Sequence, residues 1–109
     1  MYKLDLERIK NNGTEVIKKF EEDKKLTFEE KLDFIFIVFS IFDEDDDFIA
    51  TLIEIINDKA GYDEMDIQLK DFIEGLQFLD EETIDDIIYD INLLLLAREI
   101  VEKGFEDEN

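Results

Sequence analysis

The sequence has no cysteine, no histidine, no proline and no tryptophan. Without cysteine there is no disulfide framework, no thiolate metal site and no cysteine nucleophile. Without histidine, the usual general base and the commonest transition-metal ligand are both missing. The single serine, Ser40, has nothing beside it to activate it. Carboxylate pairs are abundant, but with no tryptophan to stack on a sugar they do not read as a glycosidase. Most enzyme classes are excluded, and no cofactor is expected. Bases are scarce as well: 12 Lys and Arg stand against 32 Asp and Glu, a net charge of −20. A chain so poor in basic patches does not bind DNA or RNA directly.

Long apolar runs are missing too. The longest, residues 34–39, falls far short of the roughly 20 residues a membrane-spanning helix needs. Anionic lipid headgroups would repel so acidic a surface. Residues 1–7 show no apolar segment behind a basic start, so no signal peptide is read and a cytoplasmic location is expected. No Gly/Ser-rich linker and no internal repeat divides the chain. One domain over residues 1–104 is expected, followed by a frayed acidic tail at 105–109.

What the chain does hold is 45% hydrophobic residues, including 16 Ile, 12 Leu and 10 Phe, enough to bury a core. The patterning is helical. Residues 1–10 are ambiguous, since Tyr2, Leu4 and Leu6 alternate as in a strand while Leu6 and Ile9 fit a helix. Asn11-Asn12-Gly13 reads as a turn, after which Thr14 caps a short helix to about residue 24. Thr27 and Glu30 form a capping box that opens a helix to about residue 42. Its run 34–39 is apolar all round, as suits a central helix. Residues 43–47 break the pattern. Phe48, Leu52, Ile53 and Ile56 then give helical spacing until Gly61. Asp63 or Asp66 starts the next helix, with Ile67, Phe72, Ile73, Leu76 and Leu79 inward. Asp80 caps the last and longest one, which puts Ile84, Ile87, Ile88, Ile91, Leu94, Leu95 and Arg98 on one face and ends at Gly104. Leu93 and Leu96 fall on its opposite side, the side a homodimer could use. The expectation is an all-α bundle of about five helices, with a possible short N-terminal strand.

The charge divides the chain. Residues 1–31 carry eight acids and eight bases; residues 32–109 carry 24 acids and four bases, and so the whole net charge. Solubility asks only for a net charge of about 2–8 in a small domain, and the excess repels itself. It therefore calls for a functional reason. Two local motifs offer one. Asp43, Asp45 and Asp47 fall on positions 1, 3 and 5 of a twelve-residue loop, with Thr51 on 9 and Glu54 on 12. That spacing resembles an EF-hand, and the resemblance implies calcium. Phe48 replaces the turn glycine, however, Ala50 occupies the apolar contact position, and no second loop follows. Glu30 and Asp33 resemble half of the Mg²⁺ motif of MazG-type nucleoside-triphosphate pyrophosphatases. Lys18 spoils the other half, which would start at Glu15.

The distributed acidity remains. Twenty duplex charges at one per about 1.7 Å span roughly 34 Å, close to the roughly 35 Å diameter of a compact chain this long. Acids one helical turn apart are about 5–6 Å from one another, the scale of neighbouring phosphates. The steps are supplied by Asp43, Glu44, Asp45, Asp46 and Asp47; by Asp63, Glu64 and Asp66; and by Asp80, Glu81, Glu82, Asp85, Asp86 and Asp90. In size, helicity and acid excess the chain resembles the acidic helical DNA mimics of phages and mobile elements, of the Ocr-like anti-restriction and anti-CRISPR type. The resemblance implies an inhibitor whose partner is a basic nucleic-acid-binding protein such as a nuclease or CRISPR effector. In charge and helicity it also resembles the colicin nuclease immunity proteins, which implies a toxin-immunity protein or antitoxin as the alternative.

Overall fold

Thr27 and Glu30 close the expected capping box: the Glu30 N–H donates to Thr27 Oγ1 (3.2 Å) and the Thr27 N–H to Glu30 Oε1 (2.9 Å). They open α2 (Phe28–Ile41), whose Leu32, Phe34, Ile35, Ile37, Val38 and Phe39 are buried. A helix apolar on every side must be covered on every side, and α2 is the centre of the molecule. The computed structural model describes residues 1–61 and 68–107, the side chains of 101–107 excepted. Around α2 lie α1 (Leu6–Glu21), α3 (Asp46–Ala60), α4 (Leu69–Gly75) and α5 (Glu81–Asp107), with a single 3-10 turn at Leu76–Phe78. The fold is all-α with five helices, as expected, and measures 50 × 32 × 25 Å. The helix α1 packs on α2, α3 packs on α5, and α2 touches α1, α4 and α5.

Four sequence expectations are corrected. First, α1 runs unbroken through Asn11-Asn12-Gly13. Asp5 caps it, accepting from the N–H groups of Glu7 and Arg8. Gly13 is buried against α2, where a β-carbon would sit 3.5 Å from Ile37 Cδ1. Burying Val16 and the flanks of Ile9 and Ile17 outweighs the roughly 1 kcal/mol a helical glycine costs.

Second, among the described residues there is no strand. Residues 1–5 are extended and do alternate, with Tyr2 and Leu4 buried. Their backbone finds side chains in place of a neighbouring strand. The Tyr2 N–H donates to Gln77 Oε1 (2.8 Å), Gln77 Nε2 donates to the Tyr2 carbonyl (3.1 Å), and the Leu4 N–H donates to Glu74 Oε2 (2.8 Å). Backbone groups removed from water need such partners.

Third, α4 begins at Leu69 after Gln68, later than the expected Asp63 or Asp66. Those two acids, with Glu64 and Ile67, lie outside the described residues. Phe72, Ile73 and Leu76 are buried as expected. Fourth, α5 passes through Gly104 to Asp107, because one glycine weakens a helix without ending it. Its inner face is as read, with Ile84, Ile87 and Ile91 fully buried.

Candidate functional site

The helix α1, which packs on α2, carries three acids and four bases. On another side, residues 43–60 and 80–100 form the packed pair α3 and α5, which together carry fourteen acids and two bases. These two segments therefore carry a net charge of −12 of the chain's −20.

Within these segments the structure separates the sequence clusters. Asp43 and Glu44 are exposed in the turn after α2, and Asp46 and Asp47 are exposed in the first turn of α3, where a helix N-terminus favours them. Asp45 is half-buried and caps α3: the Phe48 N–H donates to its Oδ1 (3.1 Å). Arg98 of α5 donates to Asp45 Oδ2 (2.6 Å), with its guanidinium over the rings of Phe42 and Phe48. The guanidinium, then the cap bond, hold the Asp45 carboxyl below the usual carboxylate range.

The second cluster occupies the start of α5. Asp80 accepts from the Thr83 hydroxyl. Lys31 of α2 reaches Glu81 (2.9 Å) and Asp85 (2.6 Å). Burial pulls the Lys31 ammonium down, but these bonds outweigh it and hold it above the usual lysine value. Lys59 lies 3.5 Å from Asp90. Glu82 and Asp86 are exposed and, among the described residues, outside every ion pair. The two clusters thus lie toward the two ends of α5, about 24 Å apart at 1.5 Å per residue from position 82 to 98.

The calcium alternative is corrected. An EF-hand needs residues 43–54 as a loop that wraps an ion, but α3 starts at Asp46. Asp45 is committed to a cap and a guanidinium, the Thr51 hydroxyl donates to the Asp47 carbonyl, and Glu54 is exposed along the helix. Among the described residues no three acids gather to hold a metal ion.

The MazG-like pair is likewise occupied. Glu30 binds Lys19 (2.8 Å) and the cap. Asp33 is buried under Arg8, which donates to it from Nη2 (2.8 Å) and Nε (3.2 Å), and it accepts from the Tyr2 hydroxyl. Those acids hold the N-terminal segment and α1 to α2.

Two features escaped the sequence reading. One is the Arg98–Asp45 bond, between residues 53 apart, which no local pattern announces. The other is an apolar groove of about 540 Å³ between α1, α2 and α5, lined by Phe20, Ile37, Ile41, Phe42 and Leu96. Leu96, off the inner face of α5 in the sequence pattern, was its one visible trace. Among the described residues no helix is long and apolar enough to cross a membrane. In comparisons with protein families, curated proteins and solved structures, the chain has no match.

Proposed function

We propose that the protein is an acidic nucleic-acid mimic that blocks the basic DNA- or RNA-binding groove of a nuclease or similar protein, acting in the cytoplasm as an anti-restriction or anti-CRISPR inhibitor. One observation carries this reading: fourteen acids against two bases fall on residues 43–60 and 80–100, whose helices α3 and α5 pack together. Collecting like charge costs stability through self-repulsion. The same field steers a basic partner and replaces the counterion release that phosphates would give it. Lys31, Lys59 and Arg98 tie four of the cluster acids to the core, which fixes the others in place.

A second reading, a toxin-immunity protein or antitoxin, is favoured by the exposed Tyr89, Leu93, Leu96 and Ile100 on α5, which a purely electrostatic mimic does not require.

The test is to capture partners from a host lysate on the immobilised protein, then challenge the complex with short duplex DNA and with a salt gradient. The mimic reading expects displacement by duplex and a steep fall of affinity with salt. A partner that ignores duplex and survives moderate salt overturns it in favour of the immunity reading.

A further inference from the structure

Asn11-Asn12-Gly13 has the composition of a turn yet lies inside α1, and the proposed binding surface makes no use of it. Of the five asparagines, at 11, 12, 57, 92 and 109, Asn12 alone precedes a glycine. Asn12 is exposed and Gly13 is buried. An asparagine before glycine is open to attack by the next backbone nitrogen, because glycine has no β-carbon to hinder the approach. In a helix that nitrogen is engaged. The Gly13 N–H is committed to the carbonyl of Ile9, four residues back, and helical ψ at Asn12 is not the one that brings the nitrogen onto the side-chain carbon. The helix itself is lightly held: Gly13 and Val16 are its buried residues, against seven in α2. Ion pairs secure its two ends, Arg8 to Asp33 (2.8 Å) and Lys19 to Glu30 (2.8 Å). Between them stand Asn11, Asn12, Gly13 and Thr14, a run of low helix propensity. Segments with few buried contacts open before the rest of a fold.

We propose that Asn12 is a site of spontaneous deamidation, which closed α1 holds latent and each opening of α1 exposes. In the open chain the Gly13 backbone nitrogen gives up its proton to water and attacks the Asn12 side-chain carbonyl carbon. A C–N bond forms, closing a five-membered imide, and the side-chain nitrogen leaves as ammonia. Water then adds to either imide carbonyl and breaks one of the two C–N bonds. One water is consumed and one ammonia released, and no oxidant, reductant or cofactor takes part. The product is aspartate or isoaspartate, either one adding a negative charge. The two differ in consequence. Aspartate keeps the ordinary backbone and stands exposed one turn after Arg8, so α1 re-forms. Isoaspartate carries the main chain through one extra carbon. That throws the hydrogen-bond ladder of α1 out of step beside Gly13, where the helix seats against Ile37. The reaction thus captures the open helix. The site lies on α1 and owes nothing to the acidic surface, so it stands or falls apart from the mimic reading.

The test keeps the full chain in mildly alkaline buffer, with and without denaturing urea, and digests samples at intervals. Mass spectrometry follows the exchange of NH2 for OH at Asn12, with Asn57 and Asn92 as internal references. Asn12 is expected to react faster than both references in urea, and at least about tenfold more slowly in the folded chain than in the unfolded one. Val16→Ala and Asp33→Ala, which loosen α1 from α2, are each expected to speed the reaction of the folded chain about tenfold, the equivalent of about 1.4 kcal/mol. Urea below the parent's unfolding transition should accelerate it without any substitution, which covers a variant that fails to fold. Gly13→Ala is expected to suppress the reaction even in urea, because its β-carbon hinders the attack. Asn12→Asp should melt with the parent, and the isoaspartyl fraction, separated by chromatography, should melt lower. Equal rates in the folded and unfolded chain overturn the proposal, as does a folded-state rate indifferent to both substitutions and to urea. An isoaspartyl fraction that melts with the parent overturns it too.

Discussion

Arg98 donates to Asp45 at 2.6 Å, which bolts α5 to the cap of α3 across 53 residues of sequence. Asp45 does two jobs, accepting from the Phe48 N–H and from the guanidinium. Substitutions separate them. Asp45→Asn keeps an oxygen for the cap and loses the charge; Asp45→Ala loses both. The melting temperature is expected to fall in both, and further in the alanine variant. Because the folded state holds this carboxyl below the usual range, its contribution is present above pH 3.8 and is lost as the pH falls through the lower folded value. Thermal melts between pH 2 and 6 are expected to show a shallower acid decline in Asp45→Asn than in the parent. Identical declines would refute the assignment.

The buried Asp33 is the corresponding knot at the other side of α2. Asp33→Ala leaves the Arg8 guanidinium and the Tyr2 hydroxyl without their shared acceptor, and is expected to cost about 2–3 kcal/mol in denaturant melts. Tyr2→Phe removes one hydroxyl and leaves the ion pair, for about 1 kcal/mol. Burial first, then the bond to Asp33, push the Tyr2 phenol above its ordinary value of 10.0. A raised value means that the stabilisation is whole below pH 10 and is lost as the pH climbs beyond it. Tyr2→Phe should therefore lose less than the parent between pH 8 and 11. The comparison isolates the phenol from Lys31, which sheds its proton over an overlapping range.

Much of this fold was legible because its signals were local. Thr27 and Glu30 announce their own helix start, residues 34–39 announce a helix covered on all sides, and Gly61 adopts the left-handed φ of 76° that its place after α3 calls for. What was illegible depends on distant partners. Asn11-Asn12-Gly13 has the composition of a turn, and only the presence of Ile37 opposite Gly13 makes it helix. The alternation of Tyr2 and Leu4 was real, but Gln77 and Glu74 take the place of a strand. The acids of the candidate surface could be counted from sequence. Which of them remain unpaired could not, because that depends on where Lys31, Lys59 and Arg98 land.

The two glycines that bear on helix geometry should respond with opposite signs. A β-carbon at Gly13 meets Ile37 Cδ1 at 3.5 Å, an ordinary contact, on helical backbone. Gly13→Ala is expected to stabilise by about 0.5–1 kcal/mol, since alanine loses less entropy in a helix. Gly61 has open space around it but a φ of +76°. Gly61→Ala is expected to destabilise by about 1 kcal/mol through backbone strain alone. Chemical denaturation of both variants checks the pair, and a shared sign would contradict the helix through residues 11–13.

Glu82 and Asp86 put the charge argument to its most direct test. Both are exposed and, among the described residues, outside every ion pair, so their neighbours are other acids on the first turns of α5. Neutralising Asp86 as Asp86→Asn relieves repulsion, and that variant is expected to melt higher at low salt, about 4–8 °C per kcal/mol gained, whereas Glu82→Gln gains less because the N-terminus of α5 favours the Glu82 charge. Added salt should raise the parent's melting temperature for the same reason and close most of the gap, because screening acts on exposed charges. Binding to the captured partner should move the other way, with slower association and a weaker salt dependence. A surface retained for solubility alone would gain stability and lose nothing in binding. Opposite movement of the two readouts is what an acidic face kept for a basic partner requires.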